Sequence, residues 1–278
     1  MLSVLRVRFL LPALTLLVCA FSSLRAEEIP FNFVDGYILV HACVNAQPVT
    51  LVLDSGASAS VLSLDAARRL KIALGKPQPV DGVDAGATAY HIKPLTPKSG
   101  QFSLGAFEFA IDLQSAAKLC SEPVDGLIGV NFFRNRVTQI DYAHQRLRFL
   151  DAAPAGGEFL PLKAKNGVFC LPLSVNGSKP RWTRLDTGCN DALHWVAPRI
   201  ASRDQPRGVS IGFITNTDDE TLVTVKLGQM TLPHVEAALH GSAIFPGEAG
   251  LLGSEVLSQF LVTVDAREGR IWFKPASR

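Results

Sequence analysis

Two short segments of this chain are nearly identical and lie 132 residues apart. Residues 53–57 read Leu-Asp-Ser-Gly-Ala, and residues 185–189 read Leu-Asp-Thr-Gly-Cys. Before each segment, the sequence predicts a strand, a tight turn at Asn45 or Asn176, and a second strand. A single Asp-Ser-Gly means little, because aspartate and serine are common turn residues. Two copies in the same context indicate that the chain contains two related halves.

The ends of the two halves match more closely than their beginnings. Residues 126–149 align with residues 250–273 at a constant offset of 124, without an insertion. Both begin with an apolar strand-like segment that leads into a glycine, Gly129 or Gly253, and both then predict one helical turn and a hairpin. Because strand patterns dominate and no long amphipathic helix is evident, we expect an all-β protein.

The first residues have the pattern of a secretory signal peptide. Arg6 and Arg8 precede an apolar run over residues 9–20, and Ala26 is followed by charged residues. The run is shorter than the ~20 residues that a membrane-spanning helix needs, so an uncleaved anchor is the less favoured alternative. We expect residues 1–26 to be removed and the protein to be periplasmic or secreted, without a membrane association after cleavage.

Composition and charge exclude several other functions. A formal net charge of +2 gives no reason to expect nucleic acid as a partner. The sequence has no H-E-x-x-H or C-x-x-C pattern, so we expect no metal and no cofactor.

After signal cleavage, four cysteines could form two disulfides in any of three pairings, or could remain buried thiols. They are Cys43, Cys120, Cys170 and Cys189.

The repeat also predicts the domain organisation. A small, turn-prone segment at residues 152–157 separates the two halves. We therefore expect a signal peptide over residues 1–26, an N-terminal lobe over residues 27–153 and a C-terminal lobe over residues 154–278, in a chain that functions as a monomer.

These motifs resemble those of the pepsin–retropepsin superfamily of aspartic peptidases. Each half is similar to one retropepsin unit, in which an apolar-Asp-Ser/Thr-Gly loop is followed by a flap and an apolar-Gly-Leu-Ile/Leu-Gly segment. The chain looks like a bacterial-type, single-chain protein with two such units over roughly residues 30 to 275. The resemblance implies a bilobal acid-protease fold of two pseudo-two-fold-related β-barrel lobes, joined by a six-stranded connection, with the active cleft between them.

The resemblance also implies roles for the two loops. Asp54 and Asp186 would be the catalytic pair. The hydroxyl groups of Ser55 and Thr187 would form hydrogen bonds across the pseudo-two-fold axis and hold the loops together.

Further residues follow from the same resemblance. Gly56 and Gly188 would allow the two backbones to approach closely. The first flap would include Gly86 and Tyr90, and the second would lie near residues 208–221.

Two adjacent carboxyl groups can hydrolyse a peptide bond without a metal. About 3 Å apart, two carboxylates would repel by about 5 kcal/mol at an effective dielectric constant of 20, so the pair shares a proton. The ionised carboxylate takes a proton from water while the protonated one donates a hydrogen bond to the scissile carbonyl group. The sequence therefore predicts an exported aspartic endopeptidase that binds an extended peptide or protein substrate and cleaves peptide bonds flanked by apolar side chains.

Two positions in the loops modify this prediction. Ala57 and Cys189 stand where a serine could donate a further hydrogen bond to the carboxylate, so we expect activity at weakly acidic or neutral pH.

Cys189 is also an unusual residue for this position. The alternative function is therefore a catalytically inactive module that binds peptides or proteins on the same fold. A serine nucleophile at Ser55 is disfavoured, because the G-x-S-x-G motif is absent.

Overall fold

The computed structural model describes residues 28–80, 88–155, 157–197, 209–210, 213–214 and 220–276. The predicted signal peptide lies outside these residues. The described chain consists mainly of strands, as the sequence predicts for an all-β fold. None of the described helices is long and apolar enough to cross a membrane.

Ten strands of the first half form one sheet with the order β6-β7-β10-β5-β11-β4-β3-β8-β9, in which β2 also pairs with β3. The helices are α1 (Leu64–Arg69) and α2 (Gln114–Ala117), and a 3-10 helix spans Val130–Phe133. The strands are β1 (Glu28–Pro30), β2 (Asn32–Val34), β3 (Tyr37–Val44), β4 (Gln47–Leu53), β5 (Ser60–Ser63), β6 (Pro77–Pro79), β7 (Thr88–Leu95), β8 (Lys98–Ser99), β9 (Phe102–Ser103), β10 (Phe107–Ile111), β11 (Gly126–Ile128), β12 (Val137–Asp141) and β13 (Arg146–Leu150).

The second half forms a seven-stranded sheet with the order β15-β16-β17-β23-β18-β22-β21. Because β16 also pairs with β21, six of these strands close into a barrel. The helix is α3 (Ser254–Leu257). The strands are β14 (Leu160–Pro161), β15 (Lys163–Lys165), β16 (Val168–Val175), β17 (Arg181–Leu185), β18 (Leu193–Val196), β19 (Val209–Ser210), β20 (Phe213–Ile214), β21 (Glu220–Leu227), β22 (Met230–His240), β23 (Gly250–Leu252), β24 (Phe260–Asp265) and β25 (Arg270–Pro275).

A six-stranded sheet, β1-β13-β12-β24-β25-β14, joins the two halves. At its centre β12 and β24 pair antiparallel, with Gln139 opposite Thr263. These two residues are equivalent in the sequence repeat, and the Gln139 side-chain amide donates a hydrogen bond of 3.2 Å to Thr263 Oγ1. Equivalent positions therefore meet about a local two-fold axis, and the predicted six-stranded connection and the hairpins of each half are confirmed.

Two equivalent hairpins position the aspartate loops. The β3–β4 turn places Asn45 and Ala46 at φ 49° and 63°, and the β16–β17 turn places Asn176 and Gly177 at φ 49° and 75°. Positive φ at both turn positions matches the right-handed twist of the strands, and asparagine and glycine tolerate it best. In each half the second hairpin strand ends one residue before its aspartate.

Each aspartate loop is supported by a strand of its own half that runs parallel to the strand leading into the loop. β4 runs parallel to β11, and β17 runs parallel to β23. The Asp54 amide donates to the Ile128 carbonyl at 2.9 Å, and the Asp186 amide donates to the Leu252 carbonyl at 3.0 Å. The apolar segments that precede Gly129 and Gly253 thus form the strands that support the two loops.

The core divides into two groups of side chains. The larger contains residues from both halves and from the joining sheet. The smaller, which we call the minor core, lies in the first half. It consists of the buried residues Tyr37, Leu39, Val52, Val61, Ala89, Ile111, Leu113, Cys120, Val124 and Leu127.

Candidate active site

The two aspartate loops meet and are joined by a reciprocal set of hydrogen bonds. Ser55 Oγ donates to the Leu185 carbonyl at 2.8 Å, and Thr187 Oγ1 donates to the Leu53 carbonyl at 2.7 Å. The Ser55 amide donates to Thr187 Oγ1 at 2.9 Å, and the Thr187 amide donates to Ser55 Oγ at 3.0 Å. All four bonds cross between the halves, so Ser55 and Thr187 join the two loops.

Gly56 and Gly188 bring each backbone against the opposing carboxyl group. A Cβ atom on Gly56 would lie 2.5 Å from Asp186 Oδ1, and one on Gly188 would lie 2.6 Å from Asp54 Oδ1. Real Cβ atoms do not approach oxygen so closely, so any side chain would displace the carboxyl group. Each glycine amide also donates to Oδ1 of the aspartate in its own loop, at 2.9 Å for Gly56 and 3.0 Å for Gly188.

The glycines at the ends of β11 and β23 lie directly behind the loops. A Cβ atom on Gly129 would lie 2.9 Å from the Ala57 carbonyl oxygen, and one on Gly253 would lie 2.9 Å from that of Cys189. The next amides, of Val130 and Ser254, donate to these carbonyls at 2.8 Å and 2.7 Å. Each loop is therefore fixed from below by the segment that the sequence repeat identified.

The two carboxyl groups are buried and form a coupled pair. Asp54 is 1 % exposed and Asp186 is 3 % exposed. Burial raises the pKa of Asp186 to about 8, and the negative charge of Asp54 adds to this effect. Burial also raises the pKa of Asp54, against the opposing effects of the Gly56 amide and the Arg184 charge.

One oxygen of the pair has no donor of its own among the described residues. Asp54 Oδ2 is buried and accepts no hydrogen bond from any side chain or backbone group, apart from what the Asp186 carboxyl can donate when it is protonated. An unsatisfied buried acceptor costs about 1–3 kcal/mol. A proton shared between the two carboxyl groups removes this cost.

A buried arginine beside the pair was not identified from the sequence. Arg184, two residues before Asp186, donates from Nη1 to the Gly56 carbonyl at 2.9 Å. Its Nε and Nη2 atoms donate to the Glu248 carboxylate at 2.8 Å and 3.0 Å. Glu248 also accepts from the Asn166 side chain at 2.7 Å. The positive charge of Arg184 favours ionisation of both aspartates.

The sequence repeat contained a signal for this ion pair. Arg184 aligns with Val52 of β4, and Glu248 aligns with Val124 just before β11. The second half therefore has opposite charges on two adjacent segments at positions where the first half has two buried valines. Such a paired substitution indicates a buried ion pair, provided that the strand pairing is known.

The predicted flaps lie only partly within the described residues. Gly86 lies outside them. Tyr90 lies on β7, opposite Pro77 of β6 and Ala110 of β10. In the range predicted for the second flap, the backbones of β19 and β20 pair antiparallel as a two-stranded hairpin.

The four cysteines within the described residues are free thiols, and three of them are buried, as in the second of the two possibilities left open by the sequence. Cys43 is exposed, whereas Cys120, Cys170 and Cys189 are buried. Burial raises the pKa of Cys170 to about 12, so this thiol remains protonated and behaves as an apolar side chain.

Comparison with known proteins agrees with the geometry of the loops. Residues 40–135 match a family model described as gag-polyprotein putative aspartyl protease. This segment of the chain is therefore similar to the aspartic peptidase superfamily. The matched segment contains Asp54, its loop and the β11 segment behind it, and it covers less than half of the chain. No curated protein matches the chain significantly.

Proposed function

We propose that this aspartic-peptidase-like protein is an exported endopeptidase that hydrolyses peptide bonds between Asp54 and Asp186. The observation that carries the proposal is the buried pair of carboxyl groups, held by reciprocal hydrogen bonds, in which Asp54 Oδ2 has only the Asp186 carboxyl as a partner. The second half supplies Asp186 from a loop with the same hydrogen bonds as the family-matched loop.

The surroundings of the two carboxyl groups support different roles for them. The backbone amides of Gly56 and Ala57, together with the charge of Arg184, favour the ionised form of Asp54. Asp186 has one backbone donor, from Gly188, and its pKa is raised further by the charge of Asp54. Asp54 is therefore the general base and Asp186 the general acid when substrate binds.

The reaction then follows from the shared proton. Asp54 removes a proton from a water molecule, whose oxygen attacks the scissile carbonyl carbon. Asp186 donates its proton to the carbonyl oxygen as negative charge develops there. Proton transfer to the amide nitrogen then releases the two peptide products, and no covalent enzyme intermediate forms.

Export is proposed from the N-terminal sequence. The basic start, the apolar run over residues 9–20 and the small residue at position 26 support cleavage of a signal peptide and a periplasmic or secreted location. A mature protein that begins at Glu27 in the exported fraction would support this, and an intact N-terminus retained with the cells would contradict it.

Substitution of each aspartate tests the proposed reaction. We expect Asp54→Asn and Asp186→Asn to abolish cleavage of an unstructured protein substrate such as denatured casein, because an amide can neither accept nor supply the required proton. Asp65→Asn is the matched control, since its side chain is 62 % exposed and pairs only with Arg68 among the described contacts. This control should retain full activity.

The result also separates the peptidase from the binding module. All variants are checked for folding by circular dichroism and thermal unfolding. If folded wild-type protein binds peptides without cleaving them between pH 3 and pH 8, or if Asp54→Asn cleaves as fast as wild type, the peptidase proposal is wrong. Peptide binding that persists in both aspartate variants would then support the inactive binding module.

A further inference from the structure

Three potential metal ligands come together just after the second aspartate loop. Cys189, Asp191 and His194 each offer one ligand atom, and these three atoms lie within 4.8 Å of one another. Cys189 and His194 are buried, whereas the Asp191 side chain is 52 % exposed. The group is therefore anchored in the lobe and open to solvent on the side of Asp191.

The histidine of this group has a fixed orientation. His194 Nε2 lies 2.8 Å from Asp191 Oδ2, and His194 Nδ1 lies 2.9 Å from His240 Nε2. The two imidazole rings stack with their centroids 5.2 Å apart. A histidine that binds metal through one nitrogen usually donates a hydrogen bond from the other, which orients the ring and increases its basicity. His240 is placed to accept that bond.

The charges around the group favour a cation. The acidic side chains that act on the Cys189 thiol are Asp186, Asp191 and Asp54. Glu255 also lies within electrostatic range of Asp191, and its pKa is raised by burial and by the charges of Glu236 and Asp191. A bound cation would compensate the negative charges of Asp191 and Glu255 and the single negative charge of the proton-sharing pair Asp54 and Asp186.

We propose that Cys189, Asp191 and His194 bind a divalent transition-metal ion of the zinc type. A thiolate, an imidazole and a carboxylate are a ligand set that zinc accepts in tetrahedral sites, with water in the fourth position. Magnesium and calcium are disfavoured, because they prefer oxygen ligands. On binding, the Cys189 thiol releases its proton to solvent, and Asp191 Oδ2 and His194 Nε2 separate slightly to accommodate bonds of about 2.0–2.3 Å.

This site was not expected from the sequence. The ligands follow a C-x-D-x-x-H pattern, which differs from the C-x-x-C and H-E-x-x-H patterns. In the first half, the positions equivalent to Cys189 and His194 are Ala57 and Val61. The proposed site is therefore a property of the second half alone.

Cobalt binding tests the proposal independently of peptidase activity. The full-length mature protein, freed of metal with a chelator that is then removed, is titrated with Co²⁺. We expect one equivalent to produce visible bands of tetrahedral cobalt and a near-ultraviolet thiolate-to-cobalt charge-transfer band, both lost when Zn²⁺ displaces the cobalt. Absence of these bands in the folded wild-type protein would overturn the proposal.

Replacing each proposed ligand with the residue at the equivalent first-half position identifies which side chains bind the metal. Cys189→Ala should lose the charge-transfer band, and His194→Val should weaken Zn²⁺ binding by at least about 100-fold, given that even outer partners contribute 10–100-fold. His240→Ile, which copies Ile111, should weaken binding by about 10–100-fold while the charge-transfer band remains.

The exposed Cys43 provides the control for non-specific thiol binding. Cys43→Ser should keep both the band and the affinity. A charge-transfer band that survives in Cys189→Ala, or disappears in Cys43→Ser, would mean that another thiol binds the ion and would contradict the proposed site.

Discussion

The two halves of the molecule share their loops and strand pairing but differ in what lies behind the loops. In the first half, four positions of the minor core are apolar. In the second half, the equivalent positions, taken from the strand registers and the repeat, are buried and polar or charged. The pairs are Val52 and Arg184, Val61 and His194, Ile111 and His240, and Val124 and Glu248.

This difference shows that the loop geometry does not depend on the chemistry beneath it. The same hydrogen bonds across the local two-fold axis form above valines in one half and above an arginine–glutamate pair in the other. Arg184 has an uncharged equivalent in the first half, so the positive charge that acts on both carboxyl groups comes from the second half alone. The two loops therefore have equivalent backbone hydrogen bonds but different buried charges beneath them.

The largest effect is expected from breaking the buried ion pair. Glu248→Val would leave the Arg184 guanidinium buried without its carboxylate partner, and we expect a loss of about 3–5 kcal/mol in the free energy of unfolding. The double variant Arg184→Val/Glu248→Val copies Val52 and Val124 of the first half. It should be close to wild type in stability or up to about 1–4 kcal/mol more stable.

Urea denaturation of the single and double variants measures this difference. If the double variant were as unstable as Glu248→Val, the second half would require its buried charges in order to fold. The conclusion that the loop geometry does not depend on the residues beneath it would then be wrong.

A smaller effect, equal in the two halves, is expected from the loop glycines. In Gly56→Ala and Gly188→Ala, the new methyl group would collide with the opposing carboxyl group. We expect each substitution to reduce the free energy of unfolding by about 1–3 kcal/mol and to abolish cleavage, because the carboxyl pair separates. A loss confined to one of the two variants, measured by the same denaturation, would show that the loops are not equivalent.

The smallest effect is a displacement of the pH–rate profile. Hydrolysis requires one proton on the pair, so the rate of wild type should be highest at weakly acidic to neutral pH and should fall as the pH approaches about 8, the raised pKa of Asp186. The Arg184 charge lowers the pKa of both aspartates. Its removal in the double variant should therefore move both limbs of the profile to higher pH.

Initial rates of peptide cleavage across pH 3 to 9 measure this displacement. A profile that peaks below pH 3 in wild type would contradict the raised pKa values. An unchanged profile in a folded and active double variant would show that Arg184 has no electrostatic effect on the carboxyl pair.

Local patterns in the sequence were sufficient to predict the fold and the central pair of residues. The asparagine turns, the apolar strands and the repeated Gly-Leu-Ile/Leu-Gly segment are short-range signals, and the structure shows the predicted hairpins, six-stranded connection and meeting loops. The positions of Asp54 and Asp186 follow from the repeat, because two copies of one unit bring equivalent residues to a common axis.

Only the tertiary structure identified the buried polar and charged partners in the second half. Arg184 and Glu248 are 64 residues apart, and His194 and His240 are 46 residues apart. In the sequence, a single charged or polar residue within an apolar strand is typical of a solvent-facing position. These side chains are nevertheless buried, because strands from distant parts of the second half bring partners together that satisfy their hydrogen bonds and charges. The sequence thus determined which two loops carry the carboxyl groups, and the packing of the second half placed a buried positive charge beside them.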